Sequence, residues 1–460
     1  MLELNDTIVA LATPPGRSGI GVIRLSGKTA LHILRRLICS DDYNPTPNLL
    51  VLKSLIDPHS NSVLDEALVC YFKAPHSFTG EDVVELNCHG SPILLRAVID
   101  ATLALDARMA TPGEFSLRAV ANGRMQLSQA EAIRDLIDAQ TDAAVQLATR
   151  QLKGEISYAL QPLKEELLAI IVRLESSLEF VEDDLPQVEQ ERMLGLLQLL
   201  RSTFQEMAST FQRGKLLREG LRITLIGRPN TGKSSLFNTL LGRARAIVHD
   251  VPGTTRDTLT ELVGLNGVPT LLADTAGLRV SPDHVEAIGV DRTKREAADS
   301  DLLIVVIDGS LPLKDEDRVV LSEVVNRRHL IALNKSDIDT FSERQLAPEF
   351  LNEANPSSVV SVSAKTGSGL DCLRAAMLKP FMNGELSGDG LMITNARHHD
   401  LLVRAIDAVS SSESLLREHA GEELVLVGLH DALRYLGEIT GETTSDEILG
   451  QIFSTFCIGK

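Results

Sequence analysis

Gly227-Arg-Pro-Asn-Thr-Gly-Lys-Ser234 decides the fold of the segment around it. It follows the apolar run Arg222–Ile226, which reads as a strand, and precedes a helical pattern. This is the GxxxxGK[ST] phosphate loop in its strand–loop–helix setting. Its glycines let backbone N–H groups wrap around phosphates. Lys233 reaches the β- and γ-phosphates, and the Ser234 hydroxyl offers a ligand to Mg²⁺. Asn230, Thr231, Gly232 and Ser235 line the same turn. Further on, Leu302–Ile307 and Leu330–Leu333 read as buried strands, with helical spacing between them to about Lys379. Strands and helices alternating in this way predict a doubly wound α/β domain.

More motifs follow in order. The apolar run Thr270–Ala273 leads into Asp274-Thr-Ala-Gly277. Asp274 can hold Mg²⁺ through water, and the Gly277 N–H can meet the γ-phosphate, with Thr275 and Ala276 between them. Gly253-Thr-Thr-Arg-Asp257 offers Thr255 as a second Mg²⁺ ligand. Asn334-Lys-Ser-Asp337 ends a buried strand, with Lys335 beside the base-reading Asp337. A carboxylate there accepts two hydrogen bonds from guanine N1–H and its 2-amino group. Adenine lacks that pair and would leave the carboxylate unpaired. Ser363-Ala-Lys365, with Ala364 at its centre, supplies a backbone N–H near guanine O6. The ordered set resembles the GTPase superfamily, with GTP as substrate. Leu278 follows the DTAG motif where Ras-like proteins place a water-orienting Gln. Leu cannot orient water, so another group and another charge are needed. Asn230 can offer its amide oxygen to a monovalent cation. Glu286 can orient water, but by spacing alone it also reads as an exposed helix charge, since Asp283 and Glu296 are near.

The chain has 460 residues and a formal net charge of −18, which excludes a globally basic nucleic-acid binder. Aromatics are 3% and Trp is absent, which argues against base-stacking platforms. Cys39, Cys70, Cys88, Cys372 and Cys457 are scattered, odd in number and without a CxxC, which fits a reducing cytosol. The N-terminus reads as no secretory signal, and no run of 18 apolar residues predicts a membrane span.

Residues 1 to about 120 mix strand-like runs at Ile8–Ala12, Gly21–Leu25, Ala67–Phe72 and Val83–Leu86 with a helix over Ser91–Leu105. That is an α+β pattern. Residues 128–219 are helical, with the stripe Leu160, Leu163, Leu167, Ile170, Ile171 and Leu174, and with Pro162 and Pro186 interrupting or starting helices. Asn383–Gly390 reads as a loop, and helical spacing returns over Thr394–Phe456. The expected organisation is an α+β domain over 1–122, an all-α domain over 123–219 plus 381–460, and an inserted α/β P-loop domain over 220–380. Two separate helical domains are the alternative.

Read end to end, the chain resembles the MnmE (TrmE) family of tRNA-modification GTPases. The resemblance rests on Asp6-Thr-Ile-Val-Ala10, Ala12-Thr-Pro-Pro-Gly-Arg17, Phe78-Thr-Gly-Glu-Asp82, Thr111-Pro-Gly-Glu-Phe-Ser116, Gln129-Ala-Glu-Ala-Ile133 and Cys457-Ile-Gly-Lys460. It implies a K⁺-dependent GTPase that forms a homodimer and joins its G domains when GTP is bound. Asn230 would give K⁺ a side-chain oxygen, and His249, Val251 and Thr254, within the nucleotide-lining segment His249-Asp250-Val251-Pro252-Gly253-Thr254, would give mostly backbone oxygens. The cation supplies the charge an arginine finger supplies elsewhere. Glu286 matches the family's water-orienting residue, so Glu286, Asn230 and Lys233 are the catalytic candidates. The N-terminal domain would resemble folate-binding folds and hold a tetrahydrofolate derivative, the 5,10-methylene or 5-formyl form, with Arg24, Glu85, Arg124 and Lys460.

The family's partner is MnmG, a flavin- and NADH-using protein with which it forms a heterotetramer. Together they place an aminomethyl or carboxymethylaminomethyl group at C5 of the wobble uridine, position 34, of certain tRNAs. No flavin fingerprint occurs here, so the redox cofactor belongs to the partner. The expected location is cytoplasmic. His249, Val280–His284 and Arg124 depart from the family pattern. Cys457 reads either as a nucleophile toward uridine or as a plain thiol. His89 and His398-His399 read as structural or surface residues, without metal-ligand spacing. The rival is a ribosome-assembly GTPase with no covalent product, which would need an RNA-binding appendage that is not visible here.

Overall fold

Residues pointing alternately to the two faces build the N-terminal sheet. In the computed structural model, which describes residues 5–179, 187–243, 259–274, 299–343, 354–381 and 390–459, this sheet comprises β1 (Thr7–Leu11), β2 (Ile20–Ser26), β3 (Val51–Ile56), β4 (Val63–Phe72), β5 (Val83–His89) and β6 (Ala107–Met109). Their order is β3-β4-β5-β2-β1-β6, antiparallel throughout except for the β1–β6 pair. On one face, α1 (Ala30–Leu37) and α2 (Pro92–Leu103) bury Ile33, Leu34, Leu95 and Val98 against Ile23, Leu25, Val84 and Leu86. Gly21 permits that approach, because a Cβ there would stand 2.5 Å from Leu95. On the other face, α3 (Glu114–Ala121) presses Phe115 onto Ile8 and Ala10.

The N-terminal sheet and its helices go beyond the sequence expectations. β3, β6, α1 and α3 were not anticipated. β4 starts at Val63 and β5 runs to His89, through polar residues that break the apolar pattern. Asp65 can lie within β4 because its carboxylate accepts the His89 N–H at 2.8 Å and contacts the His89 ring Nδ1 at 2.7 Å. His89 thus has a structural partner, as its sequence context suggested.

The helical elements are α4 (Leu127–Asp138), α5 (Asp142–Leu152), α6 (Glu155–Glu179), α7 (Gln187–Ser209) and α8 (Phe211–Glu219). Pro162 does not interrupt α6 but lies inside it. Leu160, Leu167, Ile170, Ile171 and Leu174 form its buried stripe, and packing of that stripe outweighs one missing N–H. Pro186 and residues 382–389 lie outside the described residues. The helical return is α12 (Ala396–Arg417), α13 (Glu422–Thr440) and α14 (Asp446–Ser454). Gly441 ends α13 with φ 93°, a left-handed cap. Phe453, in the last turn of α14, and Phe456, just after it, bury beside Leu117 and Leu127.

The second sheet is ordered β12-β11-β10-β7-β9-β8, from β7 (Leu221–Ile226), β8 (Leu259–Leu265), β9 (Val268–Asp274), β10 (Leu302–Asp308), β11 (His329–Asn334) and β12 (Val359–Ser361). It is parallel except for β8, which pairs antiparallel with β9 through the turn Asn266-Gly267, both at positive φ. β10 and β11 are buried along their whole lengths, as strands covered on both faces must be. α9 (Lys233–Arg243), α10 (Asp315–Val324) and α11 (Leu370–Leu378) flank the sheet. Contacts divide the chain into two compact units: Met1–Arg134 with Gln151–Met193 and Ala408–Lys460, and Asp135–Arg150 with Leu194–Asp407.

Candidate nucleotide site and a second site on the N-terminal sheet

In the second unit, the carboxyl ends of the parallel strands bring Gly227, Asp274, Asp308 and Asn334 to one edge of the sheet. Ligands of open α/β sheets bind at that edge. Register places Asp274 opposite Leu225, and Asn334 opposite Asp308. Between β7 and α9 the loop turns through three positions at positive φ, Gly227 at 147°, Asn230 at 64° and Gly232 at 94°. A Cβ on Gly232 would lie 2.3 Å from Asn334 Nδ2, so only glycine fits there.

Asn334 is the joint of the site. Its Nδ2 donates to the Thr231 carbonyl at 2.9 Å, and its Oδ1 accepts the Ala364 N–H at 3.0 Å. One buried amide thereby fixes the phosphate loop against the base-reading segment. Ser363 donates its hydroxyl to Asp337 at 2.6 Å, and that bond lowers the exposed Asp337 carboxyl from its usual range. Asp337 therefore stays an acceptor, the form that guanine's two donors require. Lys335, at φ 68°, donates to Asp308 at 2.6 Å. Thr239 of α9 donates to the Ala364 carbonyl at 2.7 Å.

Lys233 is buried and donates to the carbonyls of Gly227 at 2.8 Å and Arg228 at 2.9 Å. Burial pushes its ammonium below the usual lysine range, against the pull of Asp274 and with the push of Arg228. An incoming phosphate would replace those two carbonyls with full negative charge. Ser234 and Ser235 are exposed in the first turn of α9, and Asp274 is fully buried at the end of β9. A hydroxyl and a carboxylate are the hard oxygen donors that Mg²⁺ takes beside nucleotide phosphates. Asn230 and Lys365 are exposed, while Thr231 and Ser363 are buried. His249, Asp250, Val251, Pro252, Gly253, Thr254, Thr255, Thr275, Ala276, Gly277, Glu286 and Lys460 lie outside the described residues.

In the first unit, Arg24 and Glu85 face each other across β2 and β5, with Nε–Oε1 at 2.9 Å and Nη2–Oε1 at 2.8 Å. Arg24 Nη1 donates to the Gly459 carbonyl at 3.2 Å, and the guanidinium lies 5.7 Å from the Phe78 ring and 5.8 Å from Phe115. The structure thus joins Arg24, Glu85 and the segment preceding Lys460. Arg124 donates its Nε to the Ser77 carbonyl at 3.0 Å, at the base of the Phe78 loop. Cys457 is exposed, and its carbonyl accepts the Gly113 N–H at 3.3 Å.

Beneath that loop, the fully buried Arg118 donates to Asp6 at 2.6 Å, Glu114 at 2.9 Å and Glu81 at 3.2 Å. Arg108 donates to Asp6 and to Glu114, each at 2.6 Å. Sequence reading missed this cluster, although Glu81 and Glu114 lie inside quoted motifs. Burial would raise Glu114, but hydrogen bonds from Arg108, the Thr111 N–H and Arg118 outweigh it and bring the carboxyl to about 2.

A phosphate loop tied by one asparagine to the Ser363–Lys365 segment, at the carboxyl edge of a mostly parallel sheet, gives the second unit the layout of a P-loop GTPase domain. The family model described as "GTP-binding protein TrmE N-terminus" matches residues 7–124, and that described as "MnmE helical domain" matches residues 127–457. The chain belongs to the MnmE family of tRNA modification GTPases. The tRNA modification GTPase MnmE of Koribacter versatilis is 41% identical over the full length of both chains. That of Aquifex aeolicus is 40% identical over 99% of this chain and all of its own. Among solved structures, the G domain of the T. maritima FeoB iron transporter is 26% identical over 35% of this chain and 97% of that chain. Its TM-score is 0.27, which adds nothing to the sheet order above. Among the described residues no helix is long and apolar enough to cross a membrane.

Proposed function

We propose that this GTPase is K⁺-dependent and acts with MnmG on C5 of the wobble uridine, position 34, of certain tRNAs. In this reading a tetrahydrofolate derivative, in its 5,10-methylene or 5-formyl form, supplies the one-carbon unit. The product is carboxymethylaminomethyl- or aminomethyl-uridine. The observation that carries the reading is the meeting of Arg24, Glu85 and the Gly459 carbonyl beside two aromatic rings, in the same chain as a GTP site. A carboxylate and a carbonyl can accept from the amino-pyrimidine edge of a pterin, and Arg24, Arg124 and Lys460 can meet its carbonyl or a tail carboxylate.

Asn230 supports the cation assignment, because its side chain is exposed and its left-handed backbone turns at the edge of the phosphate loop. K⁺ bound by Asn230 and by His249, Val251 and Thr254, with Mg²⁺ on Ser234 and Thr255, would offset charge on the transferring phosphoryl group while Glu286 orients water. A homodimer fits the apolar residues on the open sheet face, where exposed Leu52 and Leu68 stand opposite each other in register. The three-part division at 1–122, 123–219 plus 381–460, and 220–380, and a cytoplasmic location, belong to the same proposal.

The deciding experiment measures GTP hydrolysis in KCl and in NaCl at equal ionic strength, with Asn230→Ala and Glu286→Ala alongside. Strong acceleration by K⁺, lost in both variants, is the expected result. Equal rates in Na⁺ with a normal Glu286→Ala enzyme would overturn the cation mechanism. Titration with 5-formyltetrahydrofolate, expected to bind wild type and not Glu85→Ala, tests the second site separately.

A further inference from the structure

The phosphate-loop pattern leaves position 228 open to any residue, yet Arg228 is buried and committed. Its Nε donates to both oxygens of Asp317, at 3.1 and 3.0 Å, with the two residues 8% and 2% exposed. Asp317 is shared: its Oδ2 also accepts the Lys314 N–H at 3.1 Å and so closes the N-terminal box of α10. The backbone of Arg228 is committed too. Its carbonyl accepts Lys233 Nζ at 2.9 Å and the Thr231 hydroxyl at 3.1 Å. One residue therefore links the start of α10, through its side chain, to the phosphate-binding lysine, through its main chain.

A buried Arg–carboxylate pair adds little net stability over apolar residues of equal volume, because desolvation cancels most of the attraction. What it adds is direction. Among the described residues, Arg228 Nη2 is buried with no hydrogen-bond partner.

We propose that Arg228 and Asp317 are a positioning pair for the GTP site. They lock the entry of the phosphate loop to α10, so that the Gly227 and Arg228 carbonyls hold Lys233 poised and the loop N–H groups converge on the phosphates. Neither residue touches the nucleotide in this assignment. The pair acts on phosphate binding and leaves base reading to Asp337. It also makes the start of α10 the element that moves when the loop moves.

The test uses the full chain and fluorescent mant-GDP, with Arg228→Met/Asp317→Leu as an apolar replacement of the pair and Arg228→Lys as a charge-keeping variant. The apolar pair is expected to stay folded, with a melt lowered only by the lost α10 box, yet bind mant-GDP about tenfold more weakly, the scale of a small misplacement of binding groups. KM for GTP should rise in parallel. The preference for GDP over inosine diphosphate, which lacks the 2-amino group, should stay at the wild-type ratio. Arg228→Lys, which keeps the charge but lacks the planar guanidinium that lies along the Asp317 carboxylate, should fall between. Wild-type affinity in a folded apolar pair overturns the proposal, as does a loss confined to base preference. Should the apolar pair unfold, Arg228→Lys decides: weaker mant-GDP binding with an unchanged melt supports the pair, and wild-type affinity overturns it.

Discussion

Asn334 carries two hydrogen bonds, one to the Thr231 carbonyl and one from the Ala364 N–H. Asn334→Ala would leave the buried Thr231 carbonyl and the Ala364 N–H without their partner. Each lost bond to a buried polar group costs about 1–3 kcal/mol. The expected outcome is a lower melting temperature together with weaker mant-GDP binding, measured on one preparation. Gly232→Ala should weaken binding by a different route, since its φ of 94° and a Cβ at 2.3 Å from Asn334 Nδ2 force the loop open. At this scale much of the nucleotide site was legible beforehand. Gly232, Lys233, Asn334, Asp337 and Ala364 sit in short local motifs, where chemistry fixes residue type and spacing together. Arg228 and Asp317 were not legible, because 89 positions separate them and neither stands at a fixed motif position. The partner of an arginine is set by the fold, and only the fold reveals it.

Among elements, α3 shows how charge replaces apolar packing. Arg118 and Glu114 are buried within it, tied to Asp6 at the start of β1 and to Arg108 of β6. The Arg108 hydrogen bond is the main cause that brings Asp6 from 3.8 to about 2, and Glu114 falls from 4.5 to about 2. Both carboxyls are lowered in the folded chain, so their contribution is complete above the unfolded values. It is lost as pH falls from about 4.5 to about 2. Glu114→Gln should therefore be less stable at neutral pH, by about 3 kcal/mol for breaking a buried pair. It should also lose less on acidification than wild type over that window, as read by urea unfolding at stepped pH. The same cluster explains why α3 escaped sequence reading: Glu-Phe-Ser-Leu-Arg has no amphipathic stripe when its polar residues are the buried ones. β8 and β9 are a different case. Their turn is Asn266-Gly267, the pair that a two-residue hairpin with both φ positive requires, so that signal was present and passed over. β6, three residues long with two exposed, left no pattern to read.

Across the whole molecule, residues far apart in sequence meet on the N-terminal sheet. Arg24 and Gly459 are 435 positions apart, and no spacing rule reaches that far; only the family resemblance brought Arg24 and Glu85 together with the end of the chain. The closure depends on backbone as much as on side chains. Gly459 has φ 97°, and a Cβ there would lie 2.5 Å from the Leu11 carbonyl of β1. Gly113, at φ 68°, would carry its own Cβ to 2.6 Å from the Phe453 carbonyl. Two glycines therefore let the end of α14 approach the start of α3 and the last turn approach β1, with Phe453 and Phe456 buried beside Leu117 and Leu127. Gly459→Ala should lift the last turn from β1 and withdraw the carbonyl that Arg24 holds, leaving the anchoring phenylalanines in place. The melting temperature should then change little, while affinity for 5-formyltetrahydrofolate falls by about tenfold, the effect of displacing one binding group by an ångström or less. Calorimetric titration of that ligand, with mant-GDP binding as a check on the other unit, reads the two separately. A Gly459→Ala chain that binds the folate as tightly as wild type would mean that Arg24 and Glu85 hold it without the chain's last turn, and the site would then belong to the sheet alone.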